Sequence, residues 1–390
     1  MSNTPVMDRL IGRTVERHLP LSIHLDLTYR CNERCIHCYL DHEDHGEMTS
    51  AEIKGVLEQL AAAGTLFLTF SGGEIFLRKD LFDLLAFARD LHFDLSLKTN
   101  ALLIDEPRAR RLRSLAVRRI QISLYSADPH VHDSITKIPG SFERSLRAIR
   151  FLQEQRLQVK IACPLMKQNL NAYRSVQALA EELGVPYVLD LTITPRMDGD
   201  KSLLALRLSA TELLPVLQDP CVHPTGPASD ASMVSSGVLG SAASSGIAPL
   251  YDDIPCSAGH NSCYISPYGD VYPCVQMVLP TGNLRRQTFA EIWYGSDQMQ
   301  RVRAMRESQL PVCSTCSIRS YCERCPGLAL MEGGNLLAAY DRACELAEAN
   351  ARLAGVKDPI SALHAQRERN EFLPDRLLQK SLEVVEARAL

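Results

Sequence analysis

No apolar run in this 390-residue chain approaches the roughly 18 residues that cross a bilayer. The N-terminal MSNTPVMDRLIGRTVERHLP carries no secretory apolar core. Neither a membrane-spanning helix nor secretion is therefore expected, and the expected location is cytoplasmic. The chain also lacks a basic excess: its net charge of −4 argues against a general nucleic-acid binder. Disulfides are not expected in a compartment that keeps thiols reduced. The 13 cysteines therefore read as metal ligands, and all but Cys163 and Cys221 fall into two groups. With 46% hydrophobic and 23% charged residues, the composition is that of a soluble globular protein larger than one ordinary core requires.

The first group is Cys31-Asn-Glu-Arg-Cys35-Ile-His-Cys38, directly after the extended apolar run Leu21 to Leu27. Thiolates are the ligands of iron–sulfur clusters, and a loop that turns back on itself aims three sulfurs at three corners of one cubane. A fourth cysteine nearby is missing. In a four-iron cluster that leaves one iron open to chelate a small molecule through an amine and a carboxylate. A zinc knuckle is the other use of such a run.

The loop resembles the C-x3-C-x-Φ-C motif of the radical S-adenosylmethionine superfamily, with His37 at the position that is usually aromatic. That resemblance implies reductive cleavage of the sulfonium of S-adenosyl-L-methionine to a 5′-deoxyadenosyl radical, which abstracts a substrate hydrogen. It also implies a low-potential reductant such as flavodoxin or ferredoxin. Ser71-Gly72-Gly73-Glu74, after the second strand, is similar to the motif that binds the cofactor's amino group, and a glycine pair lets backbone approach a ligand closely. Thr99, Asn100 and Ser123 resemble positions that contact the cofactor's ribose and carboxylate. Ser123 serves equally as a hydroxyl satisfied inside the barrel. Relatives carry an arginine before the Gly-Ser-Phe segment; here Lys137 supplies a point charge instead, or is a solvated surface lysine.

From 21 to about 194, β-rich runs alternate with amphipathic patterns, the arrangement that builds a parallel sheet. Strands are expected at 21–27, 65–70, 93–98, 118–124, 157–163 and 187–193. Thr49-x-x-Glu52 opens a helix with Ile53, Val56, Leu57 and Leu60 on one face and Gly64 as its stop; Ala172 to Leu183 makes another. The expected fold class is α/β, a partial (β/α)6 TIM-like barrel, with the site at the carboxyl ends of its strands. Cys163 reads as a core residue, Cys221 as incidental, and His42 and His45 as parts of a solvated polar loop.

The segment 224–249, rich in Ser, Ala, Gly and Pro, reads as a flexible connector or a lid. After it come Cys256, Cys263 and Cys274, with a Pro-Tyr-Gly-Asp hairpin turn between two β runs. A helix opens at Thr288, and Cys313, Cys316, Cys322, Cys325 and Cys344 follow. Eight cysteines are two complete sets of four. Zinc also fits that count, but not the company of the first loop.

This region resembles the cysteine-rich SPASM extension, a small β-hairpin/α domain. Cys256-x12-Gly269-x4-Cys274 fits its pattern, and Cys313 through Cys325 fits except that the last gap is two residues where the family has three. The resemblance implies one auxiliary cluster on Cys256, Cys263, Cys274 and Cys325, and a second on Cys313, Cys316, Cys322 and Cys344. With the first loop that makes three [4Fe–4S] clusters. The expected organisation is an extension (1–20), the radical barrel (21–200), a linker (201–255), the SPASM domain (256–345) and a polar helical tail (346–390) with a break at Pro374.

Fully ligated auxiliary clusters suit electron transfer, and oxidising a substrate radical requires an acceptor. The resemblance implies a peptide maturase that cross-links or oxidises a side chain of a ribosomally made precursor peptide, similar to the peptide cyclase of pyrroloquinoline quinone biosynthesis. Alternatives are formylglycine generation, a small-molecule dehydrogenase or epimerase, and a non-catalytic electron carrier. The first of these usually has an acidic residue after the cysteine matching Cys274, where Val275 stands here. Leader-peptide recognition is expected from a separate small protein, or from 224–249 and the tail. Asp26, Lys98, Tyr125, Asp190 and Arg196 lie near strand ends, and none is singled out as the catalytic base.

Overall fold

The computed structural model describes residues 6–42, 44–219 and 253–368. A helix, α1 (Val6–Glu16), leads into β1 (Ser22–Thr28). Five further strands follow, β2 (Phe67–Gly72), β3 (Asp94–Thr99), β4 (Arg119–Ser123), β5 (Gln158–Pro164) and β6 (Tyr187–Asp190). Their connections carry α2 (Ser50–Ala62), α3 (Leu81–Asp90), α4 (Glu106–Ser114), α5 (Pro129–Thr136), α6 (Ser141–Glu154) and α7 (Tyr173–Glu182). All five neighbouring pairs from β1 to β6 are parallel. The last strand ends at Asp190, short of the expected residue 193.

Alternation along each strand decides which face is which. Ile23, Leu25 and Leu27 of β1 have no exposed surface and share one core with Leu68, Phe70, Leu95, Leu97 and the apolar faces of the helices. Their alternates, His24, Asp26 and Thr28, stand on the opposite, inner face. α2 shows how locally the helices are specified. Thr49 and Glu52 form the reciprocal cap, Ile53, Val56, Leu57 and Leu60 are buried, and Gly64 leaves the helix at φ +89°.

Beyond α8 (Ala210–Leu217) the described chain resumes at 253. The candidate linker residues 224–249 and Cys221 lie outside the described residues, as does Pro374. The expected hairpin is present as β7 (Ser262–Ile265) and β8 (Asp270–Tyr272), followed by β9 (Gly282–Asn283). It is not a separate layer: β7 pairs parallel with β1, Ile23 opposite Cys263 and Leu25 opposite Ile265, so the sheet order is β6-β5-β4-β3-β2-β1-β7-β8-β9. The strand that feeds the cysteine loop is therefore paired on both sides. Next come α9 (Phe289–Gly295), α10 (Asp297–Ala304), α11 (Pro326–Gly333), α12 (Asp341–Leu353) and α13 (Ala362–Glu368). Trp293, the sole tryptophan, is fully buried, and its Nε1 donates to the His18 carbonyl at 2.6 Å, which ties α9 to the segment after α1.

Candidate active site

β1 does not run straight into the cysteine loop. Its register with β2 slips between Asp26 and Thr28, an irregularity that bends a strand and re-aims the residues beyond it. Glu47 clamps the turn: its Oε1 accepts from Thr28 Oγ1 at 2.6 Å and from Tyr29 N at 2.8 Å, and its Oε2 accepts from Arg30 Nε at 3.3 Å. From the other side Gly73 N donates to Thr28 O at 2.7 Å and Glu74 N to Arg30 O at 2.9 Å. Such an approach leaves no room for a side chain. A β-carbon on Gly72, at φ +134°, lies 2.1 Å from Thr28 O, and one on Gly73 lies 2.4 Å from Arg30 O. The close neighbour these glycines admit is the cysteine loop's own backbone, where the sequence pointed to a ligand.

Glu74 is fully buried and spoken for. Its carboxylate accepts from Phe76 N at 2.9 Å, from Thr99 Oγ1 at 2.8 and 2.9 Å, and from Asn100 N at 2.9 Å. Burial pushes its pKa up and these donors pull it back. Thr99 and Asn100 are thus brought to the glycine motif, and Asn100 Nδ2 reaches the cysteine loop by donating to Asn32 Oδ1 at 2.7 Å. Ser123 is half-buried at the end of β4, and Lys137 is exposed, capping α5 at φ +62°. Just before Lys137, the Ile135 and Thr136 carbonyls accept from Ile36 N and Arg34 N, both at 3.0 Å. Lys137 therefore borders the loop.

Within the loop, burial pushes the Cys31 thiol up to about 12 and raises Cys35 and Cys38 as well, so loading a metal there must displace protons. Cys35 Sγ donates to Glu33 Oε2 at 3.2 Å; Glu33 is 4% exposed, and burial lifts its carboxyl to about 7. His37 is tucked against Tyr125, ring centroids 5.1 Å apart, and burial lowers its pKa to about 4. His42 departs from the solvated role read in the sequence. Its Nε2 lies 2.9 Å from Cys38 Sγ, because the loop folds back at φ +66°. His45 remains exposed beside Asp41.

On the inner face a hydrogen-bonded chain runs from β7 to β1. Tyr29 OH and Tyr264 OH are 2.6 Å apart, Tyr264 donates to Asp26 Oδ2 at 2.8 Å, and Asp26 Oδ1 is 3.1 Å from His24 Nε2. Lys98 of β3 lies in electrostatic reach of Asp26, Asp190 and Cys274, although burial lowers its pKa. Asp190 is exposed at the end of β6, where its Oδ1 accepts from Thr192 N at 2.9 Å. Cys163 is fully buried, a core residue as read from sequence.

The other eight cysteines fall into two spatial groups. Cys313, Cys316, Cys322 and Cys344 line one cavity together with Arg319. Cys256 and Cys274 pack around Ala258 and Met277; Cys256 is within electrostatic reach of Cys274 and Cys325, and Cys263 of Cys274. Cys325 arrives there because α11 packs on the turn after Cys274, where a β-carbon on Gly327 meets Gln276 O at 2.5 Å. Among the described residues no three His, Cys, Asp or Glu side chains converge tightly enough to grip a single metal ion. The thiols of Cys313, Cys316, Cys322 and Cys344 stand around a cavity, as do those of Cys35 and Cys38. Beside them, Arg303 Nη2 and Arg324 Nη1 are buried without a hydrogen-bond partner among the described residues. Sets of three and four partly or fully buried thiols with unspent cationic donors are a donor set that fits anionic iron–sulfur clusters.

Sequence reasoning missed Glu33, Glu47, His24, Tyr29 and Tyr264. The period-two pattern of Ser22 to Thr28 and of Ser262 to Ile265 was the available signal for His24 and Tyr264. Nothing local marks Glu47, which acts across 17 to 19 residues.

Residues 25–210 match the model of the radical SAM superfamily, and residues 256–317 match that of an iron–sulfur cluster-binding domain, SPASM. The chain is similar to an AdoMet-dependent heme synthase of Methanosarcina barkeri, 26% identical over 340 residues, which are 82% of this chain and 94% of that protein. It is also similar to a PqqA peptide cyclase of Xanthomonas oryzae pv. oryzae, 30% identical over 364 residues, 89% of this chain and 93% of that protein. Among solved structures it resembles SuiB of Streptococcus suis bound to the precursor peptide SuiA, with a TM-score of 0.64 and 16% identity over 88% of this chain and 82% of that one.

Proposed function

Because the chain belongs to the radical SAM superfamily, as a radical S-adenosylmethionine enzyme with a SPASM iron–sulfur region, we propose that it oxidatively modifies a side chain of a ribosomally synthesised precursor peptide, by cross-linking or oxidation. The observation that carries this reading is the 30% identity that spans 93% of a peptide cyclase, auxiliary cysteine region included. When bound, three [4Fe–4S] clusters and S-adenosylmethionine supply the 5′-deoxyadenosyl radical and an acceptor for the substrate's second electron.

The chain's own residues do the rest. Cys31, Cys35 and Cys38 would hold the radical cluster, with Cys256, Cys263, Cys274 and Cys325 on the first auxiliary cluster and Cys313, Cys316, Cys322 and Cys344 on the second. Glu74's side chain is used up internally, so the backbone of Gly72 and Gly73 would take the cofactor's amino group, and Asn100, Ser123 and Lys137 would meet its ribose and carboxylate. The proton lost on oxidation goes to the inner face, where the imidazole of His24 is backed by Asp26 and burial keeps it neutral. A reductant of the flavodoxin or ferredoxin kind delivers the initiating electron, and a separate small protein presents the leader peptide.

A second reading, oxidation of a porphyrin-type substrate, is favoured by the heme synthase, which matches over 94% of its length. Lys98 and Lys160 on the inner face suit a substrate bearing carboxylates.

The test is anaerobic reconstitution of the parent and of a Cys31/Cys35/Cys38 triple-alanine variant, with iron, sulfide and 5′-deoxyadenosine measured after reduction. About twelve irons falling to about eight, with deoxyadenosine lost, supports the ligand assignment, whereas about four in the parent removes the auxiliary clusters. Co-expression with candidate precursor peptides then reads the loss of two hydrogens by mass spectrometry. Turnover of a porphyrin with no peptide product overturns the peptide reading.

A further inference from the structure

Arg324 stands between Cys322 and Cys325, one cysteine from each of the two auxiliary sets, and is only 7% exposed. Its side chain is pinned from one side. Nε donates to Ala338 O at 3.1 Å, and Nη2 donates to Ala338 O at 2.8 Å and also to Leu336 O. With that edge of the fork fixed by the loop joining α11 to α12, the remaining nitrogen, Nη1, is buried without a partner among the described residues. A buried guanidinium normally spends all its donors or pairs with an anion. Burial lowers its pKa against the opposing pull of Cys313, Tyr340, Cys322 and Cys325, and among the described residues no carboxylate pairs with it.

Its neighbour Arg319 makes the contrast. Arg319 lines the cavity of the second set and donates to Cys322 O at 2.9 Å, but its charge is already met by Glu307.

We infer that Arg324 is a positioning residue shared by the two auxiliary clusters: one fixed positive charge and one unspent N–H, held between them to raise their one-electron reduction potentials. The inference rests on the reading that both sets hold four-iron clusters. Reduction adds one electron, hence one negative charge, and a cation held in a low-dielectric site favours the reduced form. A donor to cluster or cysteinyl sulfur acts in the same direction. An electron leaving the substrate radical then has two acceptors whose potentials one side chain sets together.

The experiment is an EPR-monitored redox titration of the full chain, reconstituted on the Cys31/Cys35/Cys38 triple-alanine background so that only auxiliary signals remain. Arg324→Gln is expected to retain about eight irons and to shift the oxidised-to-reduced balance of at least one cluster tenfold or more toward oxidised, about 59 mV lower in potential. Arg324→Lys, which keeps the charge but not the fork, is expected to fall between Arg324→Gln and the parent. Arg319→Gln is expected to move either potential far less. Unchanged potentials in Arg324→Gln with iron retained overturn the inference, and so does loss of auxiliary iron from both Arg324 variants, which makes the residue a scaffold. If the triple-alanine parent itself binds no iron, the cluster reading fails first and takes the inference with it.

Discussion

The glycine pair at the end of β2 shows how one residue can shape a site through the backbone it lets approach. Gly73 lets the backbone after β2 lie against Arg30 and Tyr29, and that contact sets where Cys31 begins. Gly73→Ala puts a β-carbon against two carbonyl oxygens that cannot move without moving the loop. The expected outcome is a loss of about 1–3 kcal/mol in stability, the usual cost of overpacking, together with selective loss of the radical cluster. Iron analysis checks it: content is expected to fall from about twelve toward about eight. Glu74 was legible from sequence as part of a motif, but its task was not. Three donors from two segments, Phe76 close by and Thr99 with Asn100 at the end of β3, converge on its carboxylate, and no spacing in the chain announces that.

At the scale of elements, β7 is the piece that changes the picture. The cysteine-rich region reads as a second unit in sequence, and its hairpin turn is plain at Pro267 to Asp270. In the structure β7 completes the pairing of β1, and the contacts continue outward. Met48 N donates to Pro267 O at 2.7 Å, Phe289 N donates to Gln59 Oε1 at 2.7 Å, and Arg285 pairs with Glu52. A chain ended at residue 255 therefore keeps every strand from β1 to β6 but bares the inner-sheet edge of β1 and the core that Phe289, Ile292 and Trp293 cover. Such a truncation is expected to aggregate and to load no radical cluster. Size-exclusion chromatography and iron content decide the matter, and a monomer with about four irons contradicts it.

The molecule as a whole buries neutral histidines, and this sets how it responds to acid. Burial lowers His132 to about 4, and burial with help from His18 and Arg303 lowers His260 to about 4. A histidine whose folded pKa lies below its ordinary 6.5 is protonated first in the unfolded chain, so stability is full above about 6.5 and drains as pH falls toward 4. Each such group is expected to remove on the order of 1–2 kcal/mol between pH 7 and pH 5. His132→Asn, which keeps an acceptor for Tyr125 N, is expected to flatten that slope in urea unfolding series. An unchanged slope places the acid sensitivity elsewhere.

Sequence alone determined what is written in local chemistry. Three cysteines at three- and two-residue spacing, the run from Cys313 to Cys325, the period-two strands and the Thr49 and Thr288 caps all depend on neighbours within about a dozen residues, so spacing is enough to read them. The tertiary structure decided everything that depends on distance through space. It brought β7 against β1, put His42 beside Cys38, spent Glu74 on Thr99 and Asn100, and set Arg324 between two groups of thiols. Those contacts join residues from separate turns and elements. Their energies come from burial and from satisfying buried polar groups, quantities that a linear pattern does not carry.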